Sequence, residues 1–290
     1  MRPMLMIGIT IMLLLQLGTV SAHDPSVLAS QNTQIIQAQN LNRQGDHAQA
    51  LKCAKLALSK SEAVTKLTGK KYQKSLILIG DINVKLGYYE AAGRAYRKAL
   101  RLHSSLYGVD HPNSAILLCK LAEIASIQGQ HADAEILFDG AKRILDPDSR
   151  RVSPTMARAL MGLASAKVAQ ENFIAAARFY QAAANTYSLL TKYDPSVKTD
   201  VTKALFYLGQ IHQQTRNYAS ASAAYREALR YSDYSPNGAM LTCLIMEKLG
   251  DTYTAWNKPA RAKHVYKRKQ AITRGYTVQP ILTASVISGL

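Results

Sequence analysis

The sequence predicts an all-α, right-handed superhelical solenoid of stacked helix-turn-helix repeats, and three observations carry that prediction. Six alanines, Ala50, Ala92, Ala134, Ala176, Ala221 and Ala262, recur at spacings of 42, 42, 42, 45 and 41 residues. A fixed period of that size marks a repeat array rather than one globule. Around each alanine the same residue types return at offsets of three, four and seven, which lie on one helical face. A prolyl start signal, Pro112, Pro154, Pro195 and Pro236, keeps the same period. Proline suits a first helical turn because its missing N–H would have had no partner there.

From the N-terminus, the first segment reads as an address. Arg2 precedes an apolar stretch from Leu5 to Val20, and Val20-Ser21-Ala22 supplies the small residues of a cleavage site. This is the layout of a secretory signal peptide over residues 1–22. The mature chain is therefore expected to be exported, periplasmic or secreted. The alternative is an uncleaved N-terminal membrane anchor, although the apolar stretch falls just short of the ~18 to 20 residues that span comfortably.

Residues 23–272 form the array. Four residues after the periodic alanine stand Ala54, Tyr96, Phe138, Tyr180, Tyr225 and Tyr266, and seven after it Ala57, Ala99, Ala141, Ala183 and Ala228, with Lys269 breaking the row. Twelve before it lies another small residue, Ala38, Gly80, Ala122, Ala164, Gly209 or Gly250, preceded by Leu or Ile in most units. Small residues on each of two antiparallel helices let the backbones approach, while the aromatic side chain fills the neighbouring groove. A single helix pair leaves one side bare, so stacking on the next pair completes the core.

The set Leu76, Ile79, Gly80, Gly87, Tyr89, Ala92, Tyr96, Ala99 and Leu100 resembles the tetratricopeptide repeat, and it returns as Leu205, Leu208, Gly209, Tyr218, Ala221, Tyr225, Ala228 and Leu229. The usual unit has 34 residues. The 42-residue period and the segment Tyr107-Gly108-Val109-Asp110-His111-Pro112 are similar to kinesin-light-chain-type repeats. About six units are expected, the first weak and the last a cap. The loop from Asp146 to Pro154 is the best candidate for a hinge, with an ordinary inter-repeat turn as the other reading. Residues 273–290 form an uncharged tail after Arg274, with several β-branched residues.

Chemistry is sparse. Cys53, Cys119 and Cys243 lie two or more repeats apart, beyond the ~7 Å Cα separation a disulfide tolerates, so three free and mostly buried thiols are expected. No Cys or His pair has metal-ligand spacing, and no phosphate-binding glycine loop or nucleophile elbow is present. The expectation is a chain that is not an enzyme and takes no cofactor or metal. His47 and His131 occupy positions where Tyr or Phe stands in other repeats and read as packing residues.

Charge is the remaining clue. The chain carries +17, and losing Arg2 with the leader leaves about +16. Such an excess favours acidic partners or surfaces. In the family resembled, the first helix of each unit lines a groove that is the usual peptide-binding face. Six or two residues before the small residue of that helix, repeats two to six supply Lys74, Lys120, Arg158, Lys203 and Lys248. These form a candidate basic ladder for an extended, acidic protein segment. Asp81, Glu123 and Asp251, one residue after the small position, are placed to pair with the ladder and neutralise it. The Lys and Asn set with which some family members hold C-terminal carboxylates is not found.

A second cluster, Lys258, Arg261, Lys263, Lys267, Arg268, Lys269 and Arg274, has no acidic residue within it. Lys263, Lys267 and Arg274 share one helical face at spacings of four and seven, and Arg261, His264 and Arg268 another. It reads either as a solvated cap or, with Lys263, Lys267 and Arg268 as contacts, as a docking surface for anionic lipid or envelope polymer. Nucleic acid is not expected, because aromatic stacking residues are not interleaved with the cations. Self-association remains open.

Overall fold

A computed structural model describes residues 25–62, 69–146, 152–232 and 238–275. Twelve α-helices follow one another among them: α1 (Pro25–Arg43), α2 (His47–Glu62), α3 (Gly69–Lys85), α4 (Tyr89–Tyr107), α5 (Pro112–Ile127), α6 (His131–Leu145), α7 (Pro154–Ala169), α8 (Phe173–Leu190), α9 (Lys198–Gln214), α10 (Tyr218–Tyr231), α11 (Ala239–Ala255) and α12 (Pro259–Gly275). They form six hairpins, each a first helix packed on a second. The proposed leader and most of the tail lie outside the described residues. The last helix extends to Gly275, three residues beyond the expected end of the array.

Two compact units divide between His111 and Pro112. The first holds α1 to α4, with a core that includes Ala38, Ala50, Ala54, Ile79 and Ile82. The second holds α5 to α12, and its core runs continuously from Ala115 to Ala262. The candidate hinge near Asp146 does not separate units. Residues 147–151 lie outside the described residues, but α6 and α7 on either side pack together, and Lys167 Nζ of α7 donates to Glu135 Oε1 of α6 at 2.6 Å.

The periodic alanines are the tightest points of the core. Ala50, Ala92, Ala134, Ala176 and Ala221 have no exposed surface, and Ala262 is 4% exposed. Opposite them, the ring four residues later takes one of two positions. Where the small residue of the first helix is glycine, the ring lies over it: a Cβ on Gly80, Gly209 or Gly250 would come within 2.3–2.5 Å of Tyr96, Tyr225 or Tyr266. Where alanine stands there, the ring leans on the next repeat. Phe138 lies over Gly162 and Tyr180 stacks on Tyr207 at 5.4 Å. Gly162 and Tyr207 occupy the same repeat position, two residues before the small residue.

Each hairpin turns through one residue in the left-handed region: Gly45, Gly87, Gly129, Glu171, Arg216 and Asn257. The next N–H reaches back five residues and the turn residue's own N–H reaches back three, as in Asp46 to Leu41 with Gly45 to Asn42, and Asn217 to His212 with Arg216 to Gln213. This is the Schellman closure, which satisfies the orphan carbonyls of the first helix. The second helix starts at once, with Asn172 and Asn217 capping it through hydrogen bonds from the Ala175 and Ser220 N–H groups.

Pro112 and Pro154 open α5 and α7 as expected, and the Ser153 hydroxyl accepts from the Met156 N–H. Pro195 instead opens a short 3-10 turn, Pro195–Val197, and α9 begins at Lys198. This displacement accompanies the one 45-residue spacing in the array. Pro236 lies outside the described residues.

Candidate protein-binding surface

In the second unit, α5, α7, α9 and α11 are the first helices of successive repeats and present Lys120, Arg158, Lys203 and Lys248. Arg158 is exposed and the three lysines are half-buried. Lys74 is exposed on α3 of the first unit. All five expected cations therefore sit on first helices.

Carboxylates are interleaved with them. Arg158 Nε lies 3.7 Å from Glu123 Oε1 of the preceding repeat, and Lys248 Nζ lies 3.9 Å from Asp251 Oδ2 one turn on. Asp200 on α9 is pushed above the ordinary aspartate range by burial, against the pull of Lys203 and Arg158. Tyr187, at the end of α8, is raised to about 12 by burial and by Asp200, with Arg158 opposing. Glu123, Arg158, Tyr187, Asp200 and Lys203 make one mixed-charge cluster across three repeats. Such exposed pairs are worth only ~0 to 1 kcal/mol each, so a partner's own carboxylates can replace them at little cost.

Asp81 and Asp251 have a second role that spacing alone does not reveal. The Tyr96 hydroxyl donates to Asp81 Oδ1 at 2.6 Å and the Tyr266 hydroxyl to Asp251 Oδ1 at 2.8 Å. Tyr225 donates to Gln213 Oε1 at 3.0 Å instead. A ring tucked over a glycine thus finds its acceptor one or four residues further along the first helix. Asn83 is buried and donates to the Ile79 carbonyl at 2.8 Å, which makes it a packing residue.

The basic C-terminal cluster is split by the helix it lies on. Lys263, Lys267 and Arg268 are all exposed on α12. Arg268, Arg261 and His264 line a cleft of about 580 Å³ whose opposite wall carries Arg226 and Arg230 of α10. Its apolar lining includes Met246, Leu249 and Tyr253 of α11, each nearly inaccessible to solvent. Lys263 and Lys267 do not line it. Lys269 turns inward to Glu247 of α11 at 2.5 Å, which explains its break in the alanine row.

The thiols carry no disulfide. Cys119 is buried and its thiol is pushed up to about 12, chiefly by burial. Cys53 and Cys243 are half-buried, more open than expected. No cluster of three metal-ligating side chains occurs among the described residues. In the first unit, buried His103 contacts Gln73 Nε2 through Nδ1 at 2.7 Å and His111 Nδ1 through Nε2 at 3.0 Å.

Comparison with known proteins agrees with this repeat. Residues 73–146 match one tetratricopeptide repeat model and residues 202–233 another. The chain contains tetratricopeptide repeats. No curated protein matches it in sequence. Among solved structures, it is similar to BtubC (BKLC) from P. vanneervenii, at 18% identity and a TM-score of 0.66, over 82% of this chain and 96% of that one. It is also similar to PilW, described as a widely conserved type IV pilus biogenesis factor, at 15% identity and a TM-score of 0.60 over 85% and 95%. The quorum sensor NprR from B. thuringiensis follows at 10% identity and a TM-score of 0.57, over 85% and 66%. At these identities the likeness concerns the fold. A tetratricopeptide array is typically a non-catalytic scaffold that binds other proteins.

Proposed function

We propose that this tetratricopeptide-repeat protein is an exported, non-enzymatic adaptor that holds an extended, acidic segment of a protein partner along the first helices of its second unit. The observation that carries the reading is the placement of Lys120, Arg158, Lys203 and Lys248 on α5, α7, α9 and α11, one cation per repeat. A regular presentation of cations suits an extended chain, which meets one repeat after another. The leader-like residues 1–22 support export.

A second reading is favoured by Lys263 and Lys267, which are exposed on a helix without a carboxylate. Here the protein docks on anionic lipid or envelope polymer through α12, at ~1 kcal/mol per cation. The two readings separate in a capture experiment from the native envelope fraction at low and high salt. A Lys120→Glu, Arg158→Glu variant should lose a defined protein partner that a Lys263→Gln, Lys267→Gln variant retains. Retention by the first variant and loss of lipid or polymer by the second would replace the adaptor reading with surface docking.

A further inference from the structure

The cleft between α10 and α12 has a construction that the first-helix surface lacks. Four arginines line it, Arg226 and Arg230 from one wall and Arg261 and Arg268 from the other, and no carboxylate is among its lining residues within the described part of the chain. Arg226 and Arg230 stand one turn apart on α10, so they face the cleft together. Arg261 is held against the cleft, its guanidinium 5.9 Å from the centre of the Tyr253 ring. Beneath the cations lies an apolar floor in which Met246 is 1% exposed, Leu249 3% and Tyr253 5%.

We infer that this cleft is a second binding site, for a short acidic peptide segment of a protein partner in which one apolar side chain is flanked by carboxylates. The chemistry fits in both parts. Guanidinium forks bind carboxylates in two parallel hydrogen bonds, with geometry as well as charge. A recessed floor takes an apolar side chain that projects between them. The volume lies in the range of discrete ligand sites, ~300 to 1,000 Å³. A recess also favours a projecting side chain over a bilayer surface, which meets cations that stand proud of their neighbours, as Lys263 and Lys267 do. The arginines of the site lie on second helices, α10 and α12, and the inference does not rest on the first-helix reading.

The described carboxylates of α10 and α11 have other engagements or positions. Glu247 of α11 takes Lys269, and Asp251 takes Tyr266 and Lys248. Glu227 of α10 is exposed next to Arg226 in sequence but is not among the lining residues.

Fluorescence anisotropy with capped synthetic peptides tests the inference on the full chain. The probe is a labelled Asp-Glu-Leu-Asp-Glu peptide, compared with Asn-Gln-Leu-Asn-Gln and Asp-Glu-Ser-Asp-Glu versions, and with vesicles of anionic phospholipid as a separate arm. The Leu-centred acidic peptide should bind at least tenfold more tightly than either control. Arg226→Gln, Arg230→Gln should weaken it at least tenfold, whereas Lys120→Glu, Arg158→Glu should change it less than twofold. Both pairs include exposed cations, and far-UV circular dichroism checks that each variant keeps its helices. Equal binding of the Leu and Ser peptides would overturn the inference by showing plain charge attraction. So would insensitivity to the arginine changes, or arginine-dependent vesicle binding without peptide binding. Loss of peptide binding only in the Lys120, Arg158 variant would overturn it and leave the first-helix reading standing.

Discussion

Replacing Gly209 by alanine tests the packing rule on which the whole array rests. A Cβ there would lie 2.5, 2.7 and 2.8 Å from three atoms of the Tyr225 ring. The ring has little freedom to retreat: Tyr225 has no exposed surface, packs against Phe206 at 6.0 Å, and is tethered through its hydroxyl to Gln213. Overpacking of this kind costs ~1 to 3 kcal/mol. Alanine returns ~0.5 to 1 kcal/mol over glycine in a helix interior. The expected net loss is about 0 to 2.5 kcal/mol, centred near 1 kcal/mol, which is a fall in Tm of roughly 2 to 4 °C at the centre for a unit of this size. Gly140→Ala is the control, because its Cβ would meet Leu118 at an ordinary 3.7 Å. That variant keeps the propensity gain without the clash and should melt slightly higher than the parent. Scanning calorimetry of both variants decides the matter. A Gly209→Ala protein as stable as Gly140→Ala would refute the claim that glycine is required beneath the ring.

Three further predictions concern other parts of the molecule. The hairpin turns place Glu171 and Arg216 where Gly45, Gly87 and Gly129 stand in earlier repeats, all in the left-handed region. A left-handed non-glycine residue costs ~1 to 2 kcal/mol, less the added chain entropy of glycine. Glu171→Gly or Arg216→Gly should therefore raise stability by about 0.5 to 1 kcal/mol in urea melts, while Gly87→Ala should lower it by ~1 kcal/mol or more. His103 is held below the ordinary histidine range by burial and then by neighbouring His111. Its neutral form is the folded one, so its contribution is intact above pH 6.5 and is lost as pH falls from 6.5 through the lowered value. The Tm difference between the parent and His103→Gln should shrink across that window. Glu135 and Glu247, both depressed chiefly by hydrogen bonds to lysine, lose their contributions lower, as pH falls from about 4.5. Finally, Cys119 should resist iodoacetamide at pH 8 until the protein unfolds, since a rise from 9.0 to about 12 cuts its thiolate about a thousandfold. Cys53 and Cys243 should label in the folded protein, as mass spectrometry of the alkylated peptides will show.

The fold was legible because its main determinants are local and periodic. Alanine and the ring four residues on are both on the second helix, and the small residue faces them from a fixed distance in sequence. Less legible was which way each ring turns. Gly162 lies outside the periodic small-residue row, yet Phe138 lies over it because Ala122 occupies the glycine position of its own repeat. The signal was available: an alanine at the small position paired with an aromatic residue sixteen later, and a glycine or ring at the matching place in the next helix. The turn row was also available at the 42-residue period, but Glu171, Arg216 and Asn257 conceal it, because backbone conformation rather than residue type is what repeats.

Net charge located no site, because the positions of the carboxylates decide where positive potential survives. On the first helices, two of them are part of the packing: a tyrosine over glycine needs an acceptor, and Asp81 and Asp251 supply it to Tyr96 and Tyr266. An unsatisfied buried hydroxyl would cost ~1 to 3 kcal/mol, so an acidic residue is built into α3, which carries Lys74, and another into α11, which carries Lys248. Among the described residues, no carboxylate lines the cleft between α10 and α12. Sequence reading could align Arg261, His264 and Arg268 on one face of the last helix, but Arg226 and Arg230 come from the preceding repeat. Only the packing of α10 and α12 on a shared α11 brings the two pairs to opposite walls of one cleft. Packing therefore supplies a physical reason for the proposed second site to differ from the first-helix surface: Asp81 and Asp251 stand on first helices because Tyr96 and Tyr266 need acceptors there.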